Sequence, residues 1–313
     1  MFKYIYHISD LHINYIQNTD ISKNNFKEIS FAINQLIAQI NNPEQSLIVI
    51  TGDIFHFINK INGNILVFFE EIIQKLTQYC ITIMIFGNHD VTPYNESNDI
   101  KIIFTQAIKK SNNRLFILSE EKEYEFDNII FIPTLFYSEI IKQPEHKDPN
   151  KTYISLYHNE INGCLMKSIK QFTSEIPDNC ISKFRIKKSD FDNYDLVLLG
   201  HIHNHQFLQT NMAYPGSLLQ TNFSEEINDQ GYIKWDIQTK TGEFIQLPQN
   251  TSYITVTDEN YNTIEYPKNS YIRLVIYDTN KSSQEIQNYI QEKTNILYFT
   301  QVYQYSSIKS KFN

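Results

Sequence analysis

Of the nine histidines in the chain, five (His12, His89, His158, His201 and His203) stand at or just after the end of an apolar run that reads as a buried strand. Asp10, Asp53 and Asn88 end runs of the same kind. A lone strand-end histidine is ordinarily a hydrogen-bonded structural residue, but five of them joined by two carboxylates and a carboxamide are not explained by packing. Imidazole nitrogens and carboxylate oxygens converging at about 2.0–2.2 Å are what a divalent transition ion requires. A nitrogen and oxygen set without thiolates suits manganese, iron or zinc better than calcium or magnesium. In Asp10-x-His12 the alternate side chains of an extended segment project to one side, and His201-x-His203 repeats the spacing. Asp53 can offer both oxygens and so reads as a bridge between two ions about 3.5–4 Å apart, while Asn88 adds a neutral carbonyl oxygen. Gly52, Gly87 and Gly200, among only eight glycines, each directly precede one of these residues. The expectation is that they supply tight or left-handed turns at the strand ends.

The elements that must carry these residues alternate. Lys3 to Ser9, Ser46 to Ile50 and Ile81 to Phe86 read as strands, separated by helical spacing over Asn25 to Ile40 and Gly63 to Gln78. A weaker helix over Asp99 to Lys110 precedes strands at Arg114 to Leu118 and Asn128 to Ile132. The polar stretch Ser138 to Lys151 reads as a loop. Tyr153 to His158 and Asp195 to His203 are further buried strands, followed by hairpin-like strands in Asn211 to Thr221 and Gln230 to Ile237. After Pro248 the pattern restarts as strand, strand, helix and strand. The reading is an α/β sandwich over residues 1–250 and a small βαβ cap over 251–313.

Composition narrows the function classes. With 313 residues, 41% apolar and 20% charged, the chain is neither disordered nor collagenous. A net charge of -8 argues against a protein that coats nucleic acid by charge alone, though not against a local DNA groove. Lys183-Phe184-Arg185-Ile186-Lys187-Lys188 is the conspicuous basic cluster, and a solvated charge run is its simplest reading. Cys80, Cys164 and Cys180 cannot all pair, which suits a reducing compartment. The first residues lack a signal-peptide pattern and no window is a membrane span, so a soluble, intracellular, non-secreted protein is expected.

Taken in order, Asp10-x-His12, Gly52-Asp53, Gly87-Asn88-His89-Asp90, His158 and Gly200-His201-Ile202-His203 resemble the five-motif signature of calcineurin-like metallophosphoesterases. Gly52-Asp53-Ile54-Phe55-His56, with Lys60 following, is similar to the second motif of the SbcD-like, meiotic-recombination-eleven nuclease family. Tyr214-Pro215-Gly216-Ser217 resembles a segment that follows that family's last metal motif, and Pro248 to Tyr253 its passage into a DNA-facing cap. The resemblance implies a four-layer sandwich of two mixed sheets flanked by helices, with a small C-terminal α/β cap. It implies two divalent ions, manganese first and iron or zinc as alternates. Asp10, His12, Asp53 and His203 would hold one, and Asp53, Asn88, His158 and His201 the other. His89 is then the implied acid and His56 the implied phosphate-positioning residue.

Three functions follow from different classes. The leading one is a manganese-dependent DNA exo- or endonuclease acting in double-strand break repair or recombination. The second is a phosphatase or phosphodiesterase for a nucleotide or phosphoprotein, and the third a non-catalytic scaffold for an SMC-like ATPase. DNA is the expected partner. Family members continue past the cap into helices that grip a coiled-coil ATPase whereas this sequence ends at Asn313, which leaves that partner open, as it does a homodimer.

Overall fold

The computed structural model describes residues 1–14, 20–57, 60–91, 98–166, 181–227, 229–277 and 282–303. The chain divides into two compact units, Met1–Leu219 with Asn228–Pro248, and Gln220–Ile227 with Gln249–Asn313.

The first unit opens with β1 (Tyr4–Ile8), α1 (Asp20–Ala38), β2 (Ser46–Thr51), α2 (Gly63–Tyr79), β3 (Ile81–Ile85), α3 (Asn98–Lys110) and β4 (Leu115–Ile117). It continues through β5 (Tyr124–Phe126), β6 (Ile129–Thr134), β7 (Thr152–His158), β8 (Leu196–Gly200), β9 (Gln206–Gln209), β10 (Met212–Tyr214), β11 (Gly231–Asp236) and β12 (Thr241–Gln246). Two six-stranded mixed sheets result, in the orders β12-β11-β1-β2-β3-β4 and β5-β6-β7-β8-β10-β9. Strands β1 to β4 run parallel to one another, as do β6, β7, β8 and β10, and all of them but the edge strand β4 lie inside their sheets. Such strands are covered on both faces and so read as unbroken apolar runs; β2 (SLIVIT) is buried at every residue.

Ile5, Leu47, Val49 and Ile83 of the first sheet pack with Phe131, Ile154, Leu156, Leu196 and Leu198 of the second, forming the core between them. On the outer face of the first sheet, Ile29, Ile33 and Leu36 of α1 and Phe68, Phe69, Ile72 and Leu76 of α2 cover Ile48, Ile50 and Met84. The outer face of the second is covered by Ile161, Cys164, Ile186, Phe191 and Tyr194, which among the described residues lie in irregular segments and a 3-10 turn. Cys80 and Cys164 are buried free thiols; Cys180 lies outside the described residues.

Three differences from the sequence reading are physical in origin. Strands β5, β9 and β12 are not read from the sequence, being sheet edges with one solvated face and therefore no apolar run. The two hairpin-like segments do not pair with each other: β10 pairs with β9 in one sheet and β11 with β12 in the other. The last strand of the Asp195 to His203 run stops at Gly200, because the next residues leave the ladder to form the site.

The second unit is a three-stranded parallel sheet of β13 (Thr251–Thr257), β14 (Asn269–Ile276) and β15 (Asn295–Tyr303), with α4 (Ser283–Gln291) crossing between the last two. Ile286 and Ile290 of α4 pack on Ile254, Ile272 and Leu274. Residues 220–227 join it because the Gln220 side-chain amide donates to Tyr253 O at 2.8 Å and accepts from Tyr253 N at 2.8 Å, mimicking a neighbouring strand.

Helix α2 follows the second motif directly, and its start is set by Asn62, whose Oδ1 accepts from Asn64 N at 3.0 Å and Ile65 N at 3.2 Å. Asn62→Ala is expected to cost about 1 kcal/mol of stability, read by urea denaturation, because two helix N-terminal donors lose their acceptor.

Candidate metal centre

Five parallel strands from the two sheets end on one spot, as open α/β sheets commonly do at their ligand sites. Asp10 and His12 follow β1, Asp53 follows β2, Asn88 and His89 follow β3, His158 ends β7, and His201 and His203 follow β8. Asp10 and His12 do not share a face by strand alternation, as their spacing suggested. Both lie beyond β1 in left-handed backbone, at φ 54° and 45°. Asp53 (φ 50°) and His201 (φ 93°) are also left-handed, so four of the eight such non-glycine residues among the described ones are candidate ligands. Each costs on the order of 1–3 kcal/mol and persists only where its surroundings enforce it.

The side chains form two groups. In the first, His12 Nε2 and His203 Nε2 are 3.0 Å apart, and each lies 3.8 Å from Asp10 Oδ1. In the second, His158 Nε2 is 3.2 Å from Asp53 Oδ1 and 3.3 Å from Asn88 Oδ1, which is itself 3.1 Å from His201 Nδ1. Asp53 joins the groups, its Oδ2 lying 3.8 Å from His12 Nε2 and 4.0 Å from His89 Nε2. Asp10, His12, Asp53 and His158 form a buried floor, whereas His56, Asn88, His89, His201 and His203 are partly or fully exposed and form the mouth.

This arrangement fits cations. Donors bonded to one ion at about 2.0–2.2 Å lie roughly 3.0–3.5 Å apart, close to the separations seen here. Asp10 Oδ2 accepts from His201 N at 3.1 Å, but Asp10 Oδ1 is buried with no hydrogen-bond donor among the described residues, which is costly unless a cation balances it. Burial pushes the Asp10 carboxyl up and the His12 imidazole down, so each group disfavours its own charge. Burial also works against ionised Asp53, yet His158, aided by His12 and by the His89 N–H at 2.9 Å, holds its carboxyl well below the usual range. The same pairing raises His158 to about 9 despite its burial.

Backbone carbonyls select the nitrogens that face the centre. His158 Nδ1 donates to Thr51 O at 2.6 Å and His89 Nδ1 to His56 O at 2.6 Å, leaving each Nε2 turned inward. The rings of His56 and His89 stack at 5.8 Å, 17° from parallel. His12, His56 and His89 also converge closely enough to be considered as a ligand set, but they bring no carboxylate.

The family model for calcineurin-like phosphoesterases matches residues 3–205. The chain belongs to this family. This calcineurin-like phosphoesterase is 29% identical over 99% of its length to protein R555 of Acanthamoeba polyphaga mimivirus, of which it spans 23%. It is 23% identical to protein 244L of invertebrate iridescent virus 6, a phosphoesterase by name, over 83% of this chain and 92% of that one. It is 28% identical to a component of the SbcCD nuclease of Staphylococcus epidermidis, over 75% of this chain and 66% of that one.

Of the three ligand-preceding glycines in this phosphoesterase, only Gly52 needs left-handed backbone (φ 94°). Gly87 and Gly200 answer to close approach instead. A Cβ on Gly87 would lie 2.1 Å from Asp53 Oδ1, and one on Gly200 would lie 2.0 Å from Thr51 O.

Sequence reading assigned no role to Asp90 or Thr51. Asp90 is fully buried and accepts from Gly87 N at 2.9 Å and Phe55 N at 3.0 Å, clamping the second and third motifs together. Its signal was only its place in Gly87-Asn88-His89-Asp90. His205 stacks on Phe244 at 3.7 Å, and in the basic cluster Arg185 pairs with Glu139 at 2.5 Å.

If Asp53 joins two ion sites, Asp53→Ala is expected to abolish divalent-ion binding altogether in elemental analysis of the dialysed protein, whereas a partial loss would show that Asp53 serves a single site. Gly200→Ala, which drives a methyl into the Thr51 carbonyl, is expected to lower stability by about 1–3 kcal/mol in thermal denaturation.

Proposed function

We propose that this phosphoesterase is a two-metal phosphodiesterase that cleaves DNA in break repair or recombination, with manganese as the working ion and iron or zinc as alternates. The observation that carries the reading is Asp53, one oxygen of which faces His158 at 3.2 Å while the other faces His12 at 3.8 Å. A carboxylate so placed is suited to bridge ions held by Asp10, His12 and His203 on one side and by Asn88, His158 and His201 on the other. Such ions would supply Lewis-acid charge at the scissile phosphate and lower the pKa of the attacking water.

The chain's own residues supply the rest. His89, oriented by the His56 carbonyl, turns Nε2 toward the centre and can deliver a proton to the leaving oxygen. His56 lines the mouth beside it and can orient a phosphate oxygen. Lys60 Nζ lies 4.4 Å from the centroid of the exposed Phe57 ring, which adjoins His56, so a cation and a flat apolar surface lie close to the phosphate-positioning histidine. Nuclease relatives and these features favour a nucleic-acid phosphodiester over a small phosphomonoester. The second unit, which contains none of the nine site residues, is assigned substrate selection.

Manganese-loaded protein is expected to cleave linear DNA, and His89→Ala to slow cleavage about 10²–10⁴-fold while retaining both metal equivalents. Hydrolysis of p-nitrophenyl phosphate with DNA left intact would assign the chain to small-substrate phosphatases. Loss of metal in His89→Ala would place His89 among the ligands.

A further inference from the structure

Trp235 of β11 is fully buried, and its indole N–H, which can only donate, meets His7 Nδ1 at 3.3 Å. When Nδ1 of a neutral imidazole accepts, the proton resides on Nε2. His7 Nε2 lies 2.9 Å from Thr51 Oγ1 and so donates to it. The Thr51 hydroxyl then sends its own hydrogen to Leu199 O at 3.2 Å. The donors therefore run in one direction, from β11 through β1 and β2 of the first sheet to β8 of the second. Trp235, His7 and Thr51 are all at 0% exposure, and burial lowers the His7 pKa to about 3, keeping it neutral.

The chain of donors ends where the site begins. Leu199 is followed by Gly200 and His201. The Thr51 carbonyl accepts His158 Nδ1 at 2.6 Å and Ser9 Oγ at 3.1 Å, and it is the atom against which Gly200 packs. We propose that Trp235, His7 and Thr51 are positioning residues that fix the Thr51 carbonyl, and through it the tautomer of His158 and the placement of His201. They thereby set the metal affinity of the half-site made by Asp53, Asn88, His158 and His201. The proposal rests on the two-ion reading of the centre. It acts more strongly on this half-site than on the other, because the Thr51 carbonyl bonds to His158 directly and packs against Gly200, the residue before His201, whereas it reaches Asp10 by way of Ser9.

The test is calorimetric titration of metal-free protein with manganese, with folding checked by circular dichroism. Thr51→Val preserves shape and removes the hydroxyl. It is expected to weaken one of two equivalents about 10–100-fold and leave the other nearly unchanged, with Thr51→Ser restoring the wild-type isotherm. Trp235→Phe is expected to weaken the same equivalent, and in ¹⁵N NMR to abolish the single Nε2-protonated state of His7 that the relay requires in the wild type. A folded Thr51→Val protein with two wild-type affinities, or with both equivalents weakened alike, would overturn the relay. Should Thr51→Val not fold, Trp235→Phe decides by the same two readouts. Wild-type protein that bound no manganese would instead overturn the two-ion reading.

Discussion

A carboxylate buried between imidazoles is the constraint around which the first unit is built. Asp53 is only 2% exposed, and its oxygens face His158 and His12 from opposite sheets. In such a setting an ionised group must find positive charge or hydrogen-bond donors, and Asp53 is served by the His89 N–H as well as by the imidazoles. Bringing them within 4 Å requires the ends of β1, β2, β3 and β7 to meet. The close approaches at Gly87 and Gly200 are the steric result, since a methyl at either would displace Asp53 or the Thr51 carbonyl.

Strain follows from the same demand. The left-handed residues Asp10, His12, Asp53 and His201 lie just beyond strands whose last four residues are buried. The ladders and the core between the sheets hold the strand ends rigidly, and the ends can then adopt unfavourable backbone that an isolated loop would relax. Asp90 contributes by bonding two backbone N–H groups, Thr51 by directing its carbonyl to His158. Rigid support and a polar, strained rim are two aspects of one arrangement, in which deep side chains are arrested and those at the mouth stay open to a phosphate.

The parallel centre of each sheet was legible because strands covered on both faces carry unbroken apolar runs, as SLIVIT and LVLLG do. The helices were legible from spacing, although α1 begins at Asp20, several residues before its periodic stretch. The edge strands β5, β9 and β12 were not, since a short strand with one solvated face leaves little pattern to find. Nor could adjacency reveal that 220–227 belongs with the second unit, because the Gln220 amide reaches a strand more than thirty residues later.

By itself the sequence determined which residue types stand at the strand ends and in what order, because the apolar runs, the glycines and the polar residues after them are local features. That suffices for the donor chemistry of the centre and for its family resemblance. Only the tertiary structure decided how those donors face one another. His201 turns Nδ1 toward Asn88 while His158 turns Nε2, Asp10 keeps one oxygen without a donor, and His7 belongs to a buried relay between the sheets. These are outcomes of pairing between residues that in most cases lie more than forty positions apart, where hydrogen-bond direction and close packing, rather than sequence spacing, select the geometry.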